Sequence, residues 1–396
     1  MKISDIQVHP LQAPGRTLVM VTVHTDEGIV GVGEAGLQRR WQAIDGAIQH
    51  MRRWLVGEDP QRIEYLWQRM WRGGFYPADR LIGSAISAID IALWDIKGKV
   101  YGTPVYELLG GRCRDFVEAF TNPGTLFKDH EMDAGDLLGC VAKADSDATV
   151  ELARQLQQKG YKYFRLGLPT QEDPYDIRLA VRQLIGQLRA VRNAVGDDLE
   201  LMVDLHTRLS PEEAVWFCRE VEPLGMFAVE DPIRSEHPHG YGRIRAQTKV
   251  PLAAGEQWVS KWPFREVIEN ETIDYARIDL CIVGGLTEAL KITHWAETHY
   301  IDIVPHNPLG PVSAAACVNL CMATTNVGVQ EMPRQPGTFA NDLFPKQIEW
   351  EDGYAWVPDA PGLGVDFDES VAESNRADPR GWVSQLRRND GAFTNW

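Results

Sequence analysis

The chain of 396 residues has no pair of cysteines in a CxxC arrangement. Its six cysteines are scattered, which argues against a zinc knuckle or a disulfide framework and predicts free thiols in a reducing compartment. No run approaches the roughly 18 apolar residues of a transmembrane helix. The N-terminal stretch MKISDIQVHPL alternates apolar and polar residues and has no signal-like apolar segment. We therefore expect a cytoplasmic protein that does not enter a membrane.

The sequence also lacks an excess of basic residues. Lysine and arginine number 40 against 56 aspartates and glutamates, which gives a formal net charge of −16. Binding to nucleic acid or to an anionic membrane surface needs a basic surface, so both are unexpected partners. Hydrophobic residues make up 44% of the chain, which is enough for a large core.

The order of sequence patterns predicts two kinds of domain. Strand-like and then helical segments fill residues 1–114, which predicts a small α+β domain. Residues 115–345 repeat strand, polar loop and helix, which predicts parallel βα units closing into a (β/α)7–8 TIM-like barrel. In one such helix, Ser210, Pro211 and Glu213 form a capping-box pattern. Residues 346–396 are expected to pack back on the N-terminal domain.

Polar residues recur at the C-terminal ends of six consecutive predicted barrel strands. These residues are Asp204, Glu230, Glu256, Asp279, His306 and Glu331. Neighbours in this series are 23 to 27 residues apart, which is about the length of one βα unit. A single acid at a strand end is usually a helix N-cap. A series in phase over six strands is typical of a barrel active site, because catalytic residues come from the C-terminal ends of several strands.

Three of these acids come from adjacent strands and predict a metal site. Two unit charges about 4 Å apart cost about 4 kcal/mol at an effective dielectric of 20, so Asp204, Glu230 and Glu256 would need a cation to stay ionised together. Ligands that are all oxygen favour Mg²⁺, with Mn²⁺ as a substitute, over zinc.

Two histidines are candidates for proton transfer. Asp279 beside His306 would fix its tautomer and make it a better base. His206 follows Asp204 by two residues on the same strand face and is either an acid or a hydrogen-bond partner of the metal ligands. A base, an acid and a Lewis acid together suffice to remove an α-proton and expel a β-hydroxyl, which is dehydration.

The chain resembles the enolase superfamily, in its mandelate racemase-like subgroup. The resemblance rests on the helix and loop of residues 84–111 (SAISAIDIALWDIKGKVYGTPVYELLGG), on the Asp–Glu–Glu series, and on IDLCIVGGLTEA followed by His306. Within the family, VDLHTRLSP and HNPLGPV look most like galactonate dehydratase and related acid-sugar dehydratases. The resemblance implies that residues 1–114 are a capping domain for the barrel. It also implies Mg²⁺, a homo-oligomer, and a strand-eight acid, Glu331, that helps hold the substrate carboxylate.

The resemblance also implies a division of roles. His306 would abstract the C2 proton of an aldonate such as D-galactonate, and His206 would protonate the departing 3-hydroxyl to give a 2-keto-3-deoxy acid. Mandelate racemase itself has a Lys-x-Lys pair ending strand two, where this chain has Arg165 and Gly167. This stretch resembles mannonate dehydratase, which also has an arginine at the first of these positions. Since glycine cannot move a proton, racemisation by two bases is disfavoured. Arg165 is expected to bind either the substrate carboxylate or an acid of the barrel core.

The sequence is also compatible with other substrates and other functions. The substrate could instead be mannonate, gluconate or arabinonate, and a racemase, a cycloisomerase or a non-catalytic sugar-acid-binding relative are the alternatives. An amidohydrolase is disfavoured because FVEAFTNPG, the first barrel strand, has no H-x-H. Specificity is expected from the capping loops at 12–16 and 72–80, and from Trp258 if it lines the pocket and is not a packing residue. Residues 122–147 are long for a βα loop and could cover the barrel mouth.

Overall fold

The structure is a computed structural model, and it describes residues 1–13, 16–121, 146–168, 174–378 and 386–394. The predicted cover over the barrel mouth falls on residues 122–147, of which 122–145 lie outside the described residues. Among the described residues, no helix combines the length and apolar character needed to cross a membrane. The five described cysteines are free thiols, as predicted.

The N-terminal part is an antiparallel sheet covered by helices. Its elements are β1 (Ile3–Ala13), β2 (Arg16–Thr25), β3 (Val30–Glu34), α1 (Trp41–Leu55), α2 (Ile63–Arg72), α3 (Arg80–Tyr101) and α4 (Val105–Leu108). The strands follow the order β1-β2-β3. Apolar residues of β2 and of the three long helices form one buried cluster, which includes Val21, Ile48, Leu66 and Ile89. This is the α+β cap that the sequence predicts.

The barrel strands follow, each at the predicted place. They are β4 (Val117–Phe120), β5 (Tyr163–Gly167), β6 (Glu200–Asp204), β7 (Met226–Glu230), β8 (Leu252–Ala254), β9 (Tyr275–Ala276), β10 (Asp302–Ile303) and β11 (Gln330–Glu331). Strands β5 to β10 form a continuous parallel sheet, and β11 pairs in parallel with β4. A parallel bridge between Ile303 and Val327 links β10 to the segment before β11. The predicted α/β barrel with an N-terminal cap is therefore confirmed.

Helices alternate with these strands. They are α5 (Ser146–Gln158), α6 (Ile177–Val195), α7 (Pro211–Val221), α8 (Gly240–Arg245), α9 (Lys261–Glu269), α10 (Gly285–Glu297) and α11 (Pro311–Met322). Helix α7 begins with the predicted capping box, in which Glu213 N donates to Ser210 Oγ at 3.2 Å and Ser210 N donates to Glu213 Oε2 at 2.9 Å. These two bonds satisfy donors that a helix start leaves free.

The C-terminal segment contacts both parts of the molecule. The hairpin of β12 (Glu349–Glu351) and β13 (Tyr354–Trp356) pairs antiparallel with β4 of the barrel. Further on, Ala377 N donates to Pro10 O of the cap at 2.9 Å. The domain boundaries at residues 114 and 345 stay predictions.

The cap sits over the ends of the later barrel strands. Trp67 Nε1 donates to Gly284 O at 2.7 Å, and Ser87 Oγ accepts from Gly284 N at 2.9 Å. The carboxylate of Glu34, at the end of β3, accepts from Gly310 N at 2.8 Å and from Ser313 N at 2.9 Å where α11 begins. These buried polar contacts place the cap at the carboxyl-terminal mouth of the barrel.

Side chains inside the barrel alternate in layers, because residues two apart on a strand share a face. An apolar layer near the base includes Phe120, Tyr163, Met202, Ala228 and Val304. Two residues further along β5, β6 and β7 stand Arg165, Asp204 and Glu230, all buried. A charged layer therefore lies between the apolar base and the open mouth.

Candidate active site

Three carboxylates converge at the mouth, on the strands that the sequence predicts. Asp204 ends β6 and Glu230 ends β7, while Glu256 lies two residues beyond β8. One oxygen of each lies within 4.8 Å of the others. Asp204 and Glu230 pair directly in the parallel ladder, so the sheet register itself brings these two acids together.

Two buried oxygens of this cluster fit a cation. Glu230 Oε2 has no hydrogen-bond partner, and Glu256 Oε2 lies 3.1 Å from His306 Nε2. Burial, together with the charges of Asp204 and Glu256, raises the pKa of Glu230 to about 7. A hard divalent cation with oxygen ligands would satisfy these lone pairs and remove the repulsion. The three residues present are therefore suited to hold Mg²⁺.

Two arginines neutralise part of the same acidic cluster from below. Arg165 donates to Asp204 and, through Nη1, to Glu331 Oε1 at 2.7 Å. Arg277 donates to Glu230 Oε1 at 2.7 Å and to Glu331 Oε2 at 2.6 Å. We call Arg165 and Arg277 the inner arginines. Arg165 thus binds acids of the barrel core, which is one of the two roles expected for it.

Arg277 is the residue of this layer that the sequence analysis missed. It is fully buried, and its Nη1 also donates to Val304 O at 2.8 Å and Pro305 O at 3.1 Å. Its position two residues before Asp279 could have revealed it, because an inward Asp279 implies an inward Arg277. A charged residue between Ala276 and Ile278 in a buried strand needs a partner, and that requirement was the available signal.

Glu331 is held ionised by these arginines. Burial acts to raise its pKa, but the charges of Arg165 and Arg277 outweigh burial and hold the pKa of this carboxyl well below its usual range. Glu331 Oε2 also accepts from Asn307 N at 3.0 Å, and Glu331 O accepts from Asn307 Nδ2 at 3.1 Å. The acid thereby fixes the loop that follows His306, and a role in holding substrate stays a prediction.

The predicted acid–histidine dyad is present in the structure. His306 Nδ1 lies 2.8 Å from Asp279 Oδ2, and Asp279 Oδ1 accepts from Cys281 N at 2.7 Å. Burial lowers the pKa of His306, but Glu256, Asp279 and Glu331 outweigh burial and raise it to about 9. The other ring nitrogen, Nε2, lies 3.1 Å from Glu256 Oε2. The ring therefore stands between its orienting acid and the carboxylate cluster, with Nε2 directed into the site.

His206 lies on the opposite side of the cluster, against the first acid. Its Nε2 is 2.8 Å from Asp204 Oδ2, and its backbone N donates to Asp204 Oδ1 at 2.8 Å. Residues His206 and Thr207 both have positive φ, 46° and 57°, which is uncommon outside glycine and ends the strand in a tight turn. The ring is brought to the site by this turn, and Nδ1 is buried without a hydrogen-bond partner. Contact with Asp204 is one of the two roles predicted for His206, and the other role, proton donation, stays a prediction.

Trp258 lies in a packed position beside the site. Its side chain is buried between the rings of Tyr241 and Phe264, and its Nε1 donates to Ser235 O at 2.9 Å. This geometry supports the packing alternative, and direct contact with a substrate stays a prediction.

The arrangement as a whole supports proton abstraction beside a stabilised anion. It offers a base oriented by an acid, a cation site a few ångströms away, and a second histidine across the cluster. Deprotonation next to a carboxylate needs both a base and electrostatic stabilisation of the resulting anion.

Comparison with known proteins agrees with this geometry. Residues 148–371 match the family model described as enolase C-terminal domain-like, and residues 6–110 match the N-terminal domain of mandelate racemase and muconate lactonizing enzyme. The D-galactonate dehydratase of Ralstonia nicotianae is 36% identical over 403 residues, covering 100% of both chains. A D-mannonate dehydratase of a Caulobacter species is 33% identical, also over 100% of both chains.

Solved structures agree in fold. An enolase from Pantoea ananatis with bound D-gluconate and Mg has a TM-score of 0.89 at 28% identity, covering 100% of this chain and 99% of that chain. A putative galactarate dehydratase from Agrobacterium radiobacter, with bound Na and L-malate, has a TM-score of 0.87 at 26% identity, covering 100% of both chains.

Proposed function

Since this chain belongs to the mandelate racemase and muconate lactonizing enzyme family of the enolase superfamily, we propose that it is a Mg²⁺-dependent dehydratase of an acid sugar. The substrate is an aldonate such as D-galactonate, and the product is a 2-keto-3-deoxy acid. Relatives named as galactonate and mannonate dehydratases, which are hydro-lyases, support this reaction class.

One observation carries the proposal. The Asp279–His306 pair at 2.8 Å faces three carboxylates whose oxygens lie within 4.8 Å of one another. A cation held by Asp204, Glu230 and Glu256 would supply Lewis-acid stabilisation of the charge that develops on the substrate carboxylate. Proton transfer then falls to the two histidines of this chain.

His306 takes the proton from C2 through Nε2, while Asp279 holds its Nδ1 side and stabilises the imidazolium. The electron pair released at C2 forms the C2–C3 double bond as the C3–O bond breaks. His206 gives its proton to the departing hydroxyl, which leaves as water. The enol then takes up a proton at C3 and releases the proton of its C2 hydroxyl, which gives the 2-keto-3-deoxy acid.

Arg165, Glu331 and Trp258 are the residues that we propose to influence substrate binding. Arg165 and Glu331 would act on the substrate carboxylate only through the charged layer that they form with Asp204 and Arg277. Trp258 would shape the pocket from its packed position. We also propose a homo-oligomer that works in the cytoplasm, in keeping with the described free thiols.

A panel of aldonates incubated with Mg²⁺ and assayed for 2-keto-3-deoxy product tests the function. We expect turnover of at least one acid sugar, and loss of turnover when EDTA removes the metal. A panel without turnover, or with interconversion of C2 epimers and no elimination, would contradict a dehydratase.

The His306→Asn variant tests the base. It should abolish exchange of the C2 proton in D₂O, followed by NMR, because no other group of the proposed mechanism removes that proton. His206→Asn should block elimination while allowing some exchange. His239→Asn is the matched control, since the His239 side chain is 71% exposed. Exchange that persists in His306→Asn would refute the assignment.

A further inference from the structure

Two other arginines lie at the boundary between cap and barrel, and we call them the outer arginines. Arg16 begins β2 of the cap, and Arg334 follows β11 by three residues. Arg16 Nη1 and both Nη atoms of Arg334 are buried, and none of the three has a hydrogen-bond partner. The Arg334 guanidinium lies over the Phe339 ring, 4.4 Å from its centre, which fixes its plane.

The outer arginines lie close to residues that adjoin the candidate active site. Arg334 lines a narrow pocket whose wall also includes Asn307, the residue after His306. Arg16 is close enough to Glu331 and Glu34 that both carboxylates act to raise its pKa against burial, which lowers it to about 10. The two guanidinium groups also repel one another: burial lowers the pKa of Arg334 to about 9, and the charge of Arg16 adds to this effect.

No carboxylate of the described chain forms an ion pair with either outer arginine. Among the described residues, every ion pair within 4.0 Å joins other side chains. Glu34 is near enough to act on the pKa of both outer arginines, and its oxygens accept from Gly310 N and Ser313 N. Burial raises the pKa of Glu34 to about 7.

An unpaired buried guanidinium is unfavourable, and a protein keeps one where a ligand supplies the missing charge. A guanidinium presents a planar fork of donors that matches a carboxylate or a phosphate. An acid sugar bound with its C1 carboxylate at the metal site has its far end free. That end would carry the counter-charge of the outer arginines.

We propose that the substrate of this site bears a second anionic group at the end remote from C1, held between Arg16 and Arg334. This inference rests on the proposed function and changes its substrate from an aldonate such as D-galactonate, which carries one negative charge, to an acid sugar with two anionic groups. The group is either the terminal carboxylate of a sugar diacid or a terminal phosphate. Arg16 and Arg334 would then determine specificity without taking part in proton transfer.

Binding to the His306→Asn protein with Mg²⁺, measured by calorimetry, tests the proposal without turnover. The ligands are galactarate, galactonate and 6-phosphogluconate. We expect at least one of the dianionic acids to bind 10-fold or more tightly than galactonate. If galactarate binds more tightly than galactonate, the second anionic group is a carboxylate. If only 6-phosphogluconate binds more tightly than galactonate, the second group is a phosphate. Galactonate binding as tightly as both others, or no binding of any of the three, would overturn the proposal.

Substitution of the outer arginines locates the effect. Arg334→Met and Arg16→Met should each weaken the dianionic ligand by roughly 10- to 100-fold and galactonate by less than about 3-fold, because a charge-assisted hydrogen bond is lost at the far end only. Arg334→Lys keeps the charge without the fork and should give an intermediate loss, even if a methionine variant fails to fold. Arg53→Met, on the exposed side of α1, is the control. Equal weakening of both ligand classes would overturn the proposal.

Turnover by the unmodified enzyme separates this inference from the proposed function. If galactonate is dehydrated and the dianionic acids are neither bound nor dehydrated, the dehydratase stands and the inference falls. If a dianionic acid binds with the expected dependence on both arginines but no acid sugar is dehydrated, the inference stands and the dehydratase falls.

Discussion

The inner and outer arginines share one barrel mouth but differ in what surrounds them. Arg165 and Arg277 contact acids in the barrel core, and Arg277 also donates to two carbonyl oxygens. Arg16 and Arg334 lie near Glu34, and three of their Nη atoms are buried without hydrogen-bond partners, whereas the inner arginines have one such atom, Arg165 Nε. The inner arginines therefore have carboxylate partners within the chain, whereas the proposed partner of the outer arginines is an anionic group of the ligand.

The difference separates two uses of a buried charge. A charge that is paired within the chain organises its neighbours: Glu331, held by both inner arginines, in turn holds Asn307 beside the base. A charge without partners raises the energy of the unliganded protein, and a bound anion can recover that energy as affinity. Stability measurements should therefore respond in opposite directions to substitution in the two groups.

The largest effect is expected from Arg277→Met. Removing this guanidinium takes a hydrogen-bonded partner from both Glu230 and Glu331 in the core, and breaking a buried pair in this way costs about 3–5 kcal/mol of unfolding free energy. Urea unfolding in EDTA measures it, with Arg53→Met as the control. A loss below about 1 kcal/mol would mean that the inner arginines are not the main stabilising partners of the acids.

A smaller effect is expected from the metal. Mg²⁺ at 100 times its dissociation constant should raise the unfolding free energy by about 2.7 kcal/mol, because it binds only the folded cluster. Glu230→Gln should remove most of this gain, whereas Arg334→Met should leave it intact, since Arg334 is not part of the carboxylate cluster. Thermal unfolding with and without Mg²⁺ makes the comparison. If Mg²⁺ stabilises Arg334→Met less than it stabilises the unmodified protein, Arg334 contributes to metal binding and is not separate from the carboxylate cluster.

The smallest effect should have the opposite sign. In the absence of substrate and metal, Arg334→Met is expected to raise the unfolding free energy by about 1 kcal/mol, because an apolar side chain on Phe339 replaces an unpaired charge. Urea unfolding beside the unmodified protein measures it. A clear loss of stability would show that Arg334 has a structural partner after all, and would weaken the proposed anion site.

Much of the fold followed from local sequence patterns. The eight barrel strands, the helices of the cap and the capping box at Ser210 were all predicted, because each depends on periodicity or on residues a few positions apart. The positions of the strand-end acids followed as well. In any parallel barrel the carboxyl ends of the strands meet at one mouth, so residues in phase with the βα repeat converge whatever the loops do.

The pairing of charges was less accessible. Arg165 could be assigned either to the substrate or to a core acid, and the structure brings it to Asp204 and Glu331. The inward position of Arg277 was missed because its strand was assigned from the apolar residues on either side of it. The unpaired state of Arg334 is visible only when Phe339 and the cap are in place around it.

The sequence by itself therefore determined the barrel, its cap and the ring of acids and histidine at the mouth, since these depend on short-range periodicity and a repeat of about one βα unit. Only the tertiary structure decided which charges are satisfied. Arg165 and Glu331 are 166 residues apart in the chain, and Glu34 of the cap meets Gly310 across 276 residues. Whether a buried charge has a partner depends on distances of a few ångströms between such distant residues, and no local pattern encodes those distances.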